Sequence, residues 1–318
     1  MEARNWTARK VTIVGAGHVG ATFAYALAQS GVADHIAIVD LNEDLVAGQV
    51  LDLNHGRFFF PSVGIHVGKA KDYADSQLIV ITAGASQKPG ESRLDLLQRN
   101  ARIIESIIDD IVAHASRAVV LVVSNPVDIL THVAHRRSNW PRGRVIGSGT
   151  VLDSARFRYL LSQHCHVDVH NVHAYILGEH GDSEFAAWSM THLAGVSMEQ
   201  FCAICNECTD WMAERERIEQ AVRNSAYHII DYKGATYYAV GLALTRIAGA
   251  VLRNEHSVLT VSVPLDGEYG LSDVSLSVPC IVSETGVDRI MHATLSPDEQ
   301  TALERSAEIL RRAIAQLG

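Results

Sequence analysis

The chain has 318 residues, of which 47% are hydrophobic, and 36 Asp and Glu outweigh 27 Lys and Arg to give a net charge of −9. This balance indicates a globular protein of about two domains, and the acidic excess disfavours nucleic-acid binding, which needs a basic face. No apolar run approaches the ~20 residues that cross a bilayer, and the N-terminal MEARNWTARK lacks the apolar core of a signal peptide. We therefore expect a cytoplasmic protein that binds neither membrane nor nucleic acid.

Short apolar runs alternate with helical patterns through the first half of the chain. Helices are predicted up to Ser30 and over 94–113, between runs that end at glycine, aspartate or polar loops. Strands separated in this way form a parallel, doubly wound sheet, because parallel neighbours need crossover connections. The predicted strands are 11–14, 36–39, 78–82, 118–123 and 145–146.

A glycine-rich turn follows the first predicted strand. Gly15, Gly17 and Gly20 form a GxGxxG pattern, in which the glycines serve a tight turn, a close approach to pyrophosphate and helix–sheet packing. The next helix offers free N–H groups to phosphates. Asp40, twenty residues beyond Gly20, can hold two ribose hydroxyls and would repel a 2′-phosphate. The pattern therefore favours NAD over NADP.

Polar groups of the second half have helical or loop positions that suit a site. Asp153 and Arg156 are three residues apart and share a helix face, whereas Arg158 points about 200° away from Arg156. His180 follows an apolar run in a glycine-flanked loop, a common place for catalytic groups. A histidine between Glu and Gly is otherwise often a plain surface residue.

Two loops at predicted strand ends face the same crevice. Residues 83–93 follow one strand, and their Gly and Pro suggest a lid that delivers Gln87 and Arg93 when substrate binds. Asn125 ends the next strand, where its amide would contact substrate or cofactor. The alternative for both loops is an ordinary turn.

Cysteine and histidine clusters raise the possibility of a metal site. Cys202, Cys205 and Cys208 are spaced C-x2-C-x2-C, like part of an iron–sulfur ligand run, with Cys280 as a distant fourth ligand. Helix packing explains the spacing equally, since positions i, i+3 and i+6 share a broad face and Cys packs as a small hydrophobe. The histidines and cysteine of 164–173 lack a familiar zinc spacing. We predict no metal.

The last predicted helix has a structural pattern. Ser296 and Glu299 form a capping box around Pro297, which suits the first helical position. One apolar stripe then consists of Leu303, Ala307, Leu310, Ile314 and Leu317.

Several segments in order resemble the lactate/malate dehydrogenase family, and within it the bacterial L-lactate dehydrogenases. They are GAGHVG, AGASQKPGESR, SNPVD, GSGTVLDSARFR, GEHGDS, KGATYY, LDGEYG and LSVPC. The resemblance implies an α/β protein, with a Rossmann NAD-binding domain over 1–147 and an α+β catalytic domain over 148–318. It also implies reversible hydride transfer between NAD and L-lactate or pyruvate.

The same resemblance implies a role for each matching residue. His180 is expected to be the acid/base catalyst, Asp153 to orient it and raise its pKa, and Arg156 to grip the substrate carboxylate. Arg93 is expected to polarise the substrate carbonyl. Asn125 and Thr236 match further substrate contacts. The implied cofactor contacts are Gly15, Gly17, Val19, Gly20, Asp40, Gly84, Ala85, Ser106, Val123, Asn125 and Ser148.

Gln87 distinguishes the two main substrates of the family. Its malate dehydrogenases have arginine at this position, so a neutral Gln leaves the second carboxylate of oxaloacetate unpaired. We therefore predict pyruvate and L-lactate as substrates. An L-2-hydroxyisocaproate dehydrogenase is an alternative, although DSARFRYLL and AGASQKPGESR resemble lactate dehydrogenases more closely.

The resemblance also bears on regulation and assembly. Arg158 and His173 match the arginine and histidine with which many bacterial members bind fructose 1,6-bisphosphate between subunits. The resemblance therefore implies a homotetramer activated by this effector. The alternatives are a solvated arginine and a structural histidine. A non-catalytic protein of the same fold is disfavoured because four residues that match the catalytic site are all present: His180, Asp153, Arg156 and Arg93.

Overall fold

The main sheet follows from the buried apolar runs of the first half. A computed structural model describes residues 8–86, 90–205 and 210–317, with only the backbone for 203–205. Its first six strands are parallel, because helices cover both sheet faces and bury the apolar runs. The elements in order are β1 (Lys10–Val14), α1 (His18–Ser30), β2 (His35–Val39), α2 (Glu43–His55), β3 (Gly64–Val67), β4 (Leu78–Ile81), α3 (Arg93–Ala113), β5 (Val119–Val122), α4 (Val127–Ser138) and β6 (Val145–Gly147).

The second half combines long helices with short strands. The elements are α5 (Val151–Cys165), β7 (Val172–His173), β8 (Ile176–Leu177), β9 (Phe185–Ala186), β10 (His192–Leu193), β11 (Val196–Ser197), α6 (Met198–Cys205), α7 (Trp211–Lys233), α8 (Tyr238–Leu252), β12 (Ser257–Leu259), β13 (Ser262–Asp266), β14 (Ser272–Ser277), β15 (Cys280–Ser283), β16 (Gly286–Ile290) and α9 (Pro297–Ile314).

The sheet has the order β14-β13-β6-β5-β4-β1-β2-β3. Its parallel part is the doubly wound arrangement predicted from the sequence, and the fold is α/β as expected. The strand at Gly64–Val67 was not among the predicted ones. Two antiparallel strands from the second half extend the sheet, with Ser262 opposite Gly147. One sheet therefore continues from the first half of the chain into the second.

Two hydrophobic clusters hold the described residues together. The larger one surrounds the main sheet and includes Leu303, Ala307 and Leu310 of α9, whose capping box at Ser296 and Glu299 is formed as predicted. The smaller one lies under α5, α6 and α7. No helix in the described ranges is long and apolar enough to cross a membrane.

The cysteines separate between these clusters. Cys202 is buried in the smaller cluster and Cys280 in the larger, so the helix-packing interpretation of Cys202 is favoured over a shared cluster site. The side chain of Cys205 and the whole of Cys208 lie outside the described residues. Burial of the Cys280 thiol, which donates to the Val278 carbonyl, raises its pKa.

Candidate active site

The three glycines after β1 have three different surroundings. Gly15 has φ +109°, and a Cβ there would lie 2.7 Å from the Ala83 nitrogen. A Cβ on Gly20 would lie 1.9 Å from the Gly15 carbonyl oxygen, so only glycine allows α1 to pack against the turn. Around Gly17, by contrast, a Cβ would meet nothing within 4 Å. The open middle position gives a phosphate group room to approach the backbone.

The start of α1 and the end of β2 complete a dinucleotide cradle. Gly17 caps α1 and has no side chain to accept from the first N–H groups of the helix, which leaves donors for an anion. The Asp40 carboxylate accepts from the Ala16 amide at 2.7 Å and the Asn42 amide at 3.0 Å, so it is fixed beside the glycine turn. These features fit the diphosphate and a ribose of NAD.

The other expected cofactor contacts divide into two groups. Gly84, Ala85, Val123 and Ser148 follow β4, β5 and β6 at their carboxyl ends, where the crevice of a doubly wound sheet lies. Val19 is in the first turn of α1. Ser106, in contrast, is exposed on α3, thirteen residues or about 20 Å along the helix axis from Arg93. Its contact with the cofactor stays a prediction.

A histidine, a carboxylate and an arginine form one hydrogen-bonded unit. Asp153 is 1% exposed on α5, and its Oδ2 lies 2.6 Å from Nδ1 of His180. Its Oδ1 accepts from Nη1 of Arg156 at 2.7 Å, one helical turn along. The helix spacing predicted that Asp153 and Arg156 share a face, and the structure confirms it.

The charge of this unit depends on the balance between burial and pairing. Burial alone would lower the pKa of His180, but Asp153, aided by the more distant Asp128, raises it to about 9. Burial would raise the pKa of Asp153, yet His180 and Arg156 hold it below its usual range. His180 is therefore protonated at neutral pH beside an ionised Asp153.

The backbone of the histidine loop is anchored on two sides. The His180 N–H donates to Oδ2 of Asp128 on α4 at 2.7 Å. The Glu179 N–H donates to Oγ of Ser306 on α9 at 2.6 Å, and Gly178 turns the chain with φ +93°. The last helix, predicted to be structural only, thus fixes the loop that carries the imidazole.

These groups line a cavity of about 470 Å³. Arg93, at the start of α3, and Asn125, after β5, meet Asp153, Arg156 and His180 there. Five of the sequence-predicted site residues are therefore brought together by four separate parts of the chain.

Two predicted substrate contacts are not among these residues. Thr236 is half-buried in the connection between α7 and α8 and is not part of the lining of this cavity. Gln87 lies outside the described residues.

Comparison with known protein families matches both halves of the chain. Residues 9–147 match the lactate/malate dehydrogenase NAD binding domain, and residues 150–317 match the alpha/beta C-terminal domain of the same family. The chain belongs to the lactate/malate dehydrogenase family. Its first half is accordingly an NAD-binding domain, and the resemblance seen in the sequence motifs is confirmed.

Individual relatives cover nearly the whole chain. The L-lactate dehydrogenase of Treponema denticola is 60% identical over 311 residues, which cover 97% of this chain and 98% of that protein. The L-lactate dehydrogenase of Acetivibrio thermocellus is 50% identical and covers 98% of each chain. The crystal structure of a lactate dehydrogenase from a Medee basin deep-sea metagenome library has a TM-score of 0.96 at 41% identity, covering 98% of this chain and 99% of that chain.

Two acidic residues at the site of this family member were not singled out from the sequence. Asp128 is 1% exposed beneath the histidine loop, and Glu184 is 5% exposed in the lining of the cavity. Asp128 closes the SNPVD segment and Glu184 directly follows GEHGDS, so both adjoin motifs that were recognised. Each is a carboxylate directly before an apolar run, and this pattern was the available sequence signal for a buried acid.

The predicted effector residues, Arg158 on α5 and His173 on β7, are not part of the lining of the cavity. Arg158 donates from Nε to the Ala174 carbonyl at 2.9 Å and lies against the Tyr175 ring, while Arg156 turns to the cavity. The neighbouring His173 is exposed on β7. The predicted divergence of the two arginines is confirmed. Arg158 contacts Ala174, the residue directly after His173.

Among the described residues, one group has metal-ligating atoms within 4.8 Å of one another: Asp153, His180 and Glu184. Both oxygens of Asp153 already accept hydrogen bonds from His180 and Arg156. The arrangement therefore favours a proton-holding group over a metal centre.

Proposed function

We propose that this chain is an NAD-dependent L-lactate dehydrogenase that interconverts L-lactate and pyruvate. The observation that carries the proposal is the His180–Asp153–Arg156 unit within one cavity beside a dinucleotide cradle. The names of the relatives, at up to 60% identity over nearly the full length, support the same activity.

In the proposed mechanism the imidazole handles the proton. Asp153 keeps a hydrogen on Nδ1 of His180, which leaves Nε2 to exchange a proton with the substrate oxygen. A bound nicotinamide supplies or accepts the hydride. For pyruvate reduction Nε2 must begin protonated, and for lactate oxidation it must begin free.

Two arginines are proposed to handle the charge of the substrate. Arg156 gives one N–H to Asp153, and its guanidinium has further donors for the substrate carboxylate. Arg93, which is exposed at the start of α3 and lines the cavity, is proposed to stabilise negative charge on the carbonyl oxygen. Asn125 and Thr236 are proposed as further substrate contacts.

Gln87 is proposed to select pyruvate over oxaloacetate, because it provides no positive charge for a second carboxylate. The test is kcat/KM for both keto acids with NADH, on wild type and Gln87→Arg. We expect wild type to prefer pyruvate and the variant to shift toward oxaloacetate. A wild type that prefers oxaloacetate would exclude the assignment.

The bisphosphate effect and the tetramer are a second, finer proposal. Arg158 and His173 would contribute cationic groups from each subunit to a fructose 1,6-bisphosphate site. We expect the effector to lower the KM for pyruvate or to promote tetramers in sedimentation, and Arg158→Gln to remove both responses. We also propose that the NAD-binding domain ends near residue 147 and that the catalytic domain begins at 148.

A further inference from the structure

Glu184 is a buried acid in the substrate cavity that the proposed mechanism does not use. Its side chain lines the cavity and is 5% exposed. Its carboxyl lies within 4.8 Å of the ligating atoms of Asp153 and His180. A carboxylate at such a position needs donors or a cation if it is to stay charged.

The surroundings of Glu184 supply neither. Within the described part of the chain, no N–H or O–H donates to its carboxyl; the Nε of Arg223 donates to its backbone carbonyl at 3.1 Å instead. Each nearby cation has another acceptor. Arg156 and His180 both bond Asp153, and Nη2 of Arg223 bonds Glu219 on α7 at 3.2 Å.

The charges of the other residues that line the cavity also favour an uncharged Glu184. The cavity is lined by three arginines (Arg93, Arg156 and Arg223) and protonated His180, against the carboxylates of Asp153 and Asp182, so positive charge is in excess and suits the carboxylate of pyruvate. An ionised Glu184 would reduce that excess and repel the substrate anion. Burial and the neighbouring Asp153 also raise the pKa of Glu184, against the opposing effects of His180, Arg156 and Arg223, to about 9.

We propose that Glu184 is a positioning residue that stays an uncharged carboxylic acid in the working site, so that binding of the substrate anion requires two protonated groups, Glu184 and His180. The inference rests on the proposed function only for the identity of that anion. Loss of either proton lowers the affinity for pyruvate, and the two protons are coupled because the groups are close.

The first test is the pH dependence of the KM for pyruvate in wild type, Glu184→Gln and Glu308→Gln. The last variant makes the same change at an exposed position on α9. Above pH 9 we expect the wild-type and Glu308→Gln KM to rise up to about 100-fold per pH unit, and the Glu184→Gln KM about tenfold, since one titrating proton is gone. Parallel profiles for all three enzymes, or a tenfold lower KM for Glu184→Gln at pH 7, would overturn the proposal.

The second test needs no turnover and is done on the unliganded protein. The infrared spectrum of wild type is compared with that of Glu184→Gln at pH 8, where Asp128 is ionised. The wild-type spectrum should contain a carboxylic-acid carbonyl band that is absent from Glu184→Gln and that disappears at higher pH. A wild type without this band overturns the proposal even if it reduces pyruvate. Conversely, a protein with the band that fails to reduce pyruvate refutes the proposed function and leaves the protonation of Glu184 standing.

Discussion

The side of the cavity that carries His180 is braced, whereas the side that carries Arg93 is open. On the braced side, the imidazole and its backbone N–H are fixed by Asp153 and Asp128, both 1% exposed. On the open side, Arg93 and Asn125 are exposed. Proton transfer needs an orientation that is fixed before the substrate arrives, while substrate contacts can form as it binds.

The open side is nevertheless tied at its base. Arg99 on α3 donates from Nη2 to the Ser86 carbonyl at 3.0 Å and from Nε to the Glu91 carboxylate at 3.1 Å. Asn100 holds the Ala85 amide at 2.8 Å. We call Ser86, Glu91 and Arg99 the loop base. We therefore expect substitutions on the braced side to change catalysis strongly and substitutions at the loop base to change it little.

The largest effect is expected for His180→Asn, which removes the proton carrier. We expect kcat for pyruvate reduction to fall about 10²- to 10⁴-fold, the usual contribution of a general acid. Steady-state rates of NADH oxidation measure it, with His170→Asn, an exposed histidine, as control. A loss below tenfold would mean that His180 is not the acid.

Asp153→Asn tests the pKa of the imidazole. Since the protonated form reduces pyruvate, wild-type kcat/KM for pyruvate should be level below pH 9 and fall above it. Without the carboxylate, burial lowers the pKa of His180, and the fall should begin near or below 6.5, its ordinary value. The pH profile of kcat/KM measures this shift. A variant whose kcat/KM stays level up to pH 9 would contradict the pairing.

The sequence predicted five of the six parallel strands because each of the five is a continuous apolar run bounded by turn residues, a local signal. It also predicted that Asp153 and Arg156 share a face, which helix geometry alone determines. The hydrogen bond from His180 to Asp128 joins residues 52 apart, and no local pattern records it.

The joining of the sheet across the two halves was missed for the same reason. The strand at Ser262–Asp266 pairs with one that ends at Gly147, and its position depends on tertiary packing. Glu184 was missed because its environment comes from α5 and α7 rather than from its own neighbours. Helices, most strands and the motif residues were thus predictable, and the pairing of His180 with Asp153 followed from the resemblance, but the contacts of Asp128 and Glu184 were not predictable.

Asp128→Asn tests how the buried Asp128 carboxyl changes the free energy of unfolding with pH. Burial raises the pKa of Asp128 to about 6 from 3.8, against the effect of the His180 N–H. The folded state therefore binds this proton more tightly, so its stabilisation is complete below pH 4 and is lost as the pH rises through 6. Relative to wild type, Asp128→Asn should gain about 2–3 kcal/mol of unfolding free energy between pH 4 and 7.5.

Asp72→Asn provides the matched control with the opposite sign. Lys10 at 2.8 Å, with the Lys69 amide and His66, outweighs burial and lowers the pKa of Asp72 to about 2. Its stabilisation is therefore present above pH 4 and is lost toward pH 2, so the Asn variant should fall further behind wild type as the pH rises. Urea unfolding at several pH values measures both. The same sign for both variants would refute the assignment for Asp128.

The smallest effect is expected at the loop base, for Glu91→Gln. The Arg99–Glu91 pair is partly exposed, at 30% and 13% of the side chains, so its loss should amount to at most about 1 kcal/mol. We expect the KM for pyruvate to rise up to about fivefold while the pH limit of kcat/KM stays near 9, because the His180–Asp153 pair is untouched. Asp109→Asn, which breaks the exposed ion pair between α3 and Arg137 on α4, should leave the KM unchanged. A shifted pH limit of kcat/KM in Glu91→Gln would show that the open side affects the pKa of His180. Equal KM values in both variants would show that the loop base does not contribute to substrate binding.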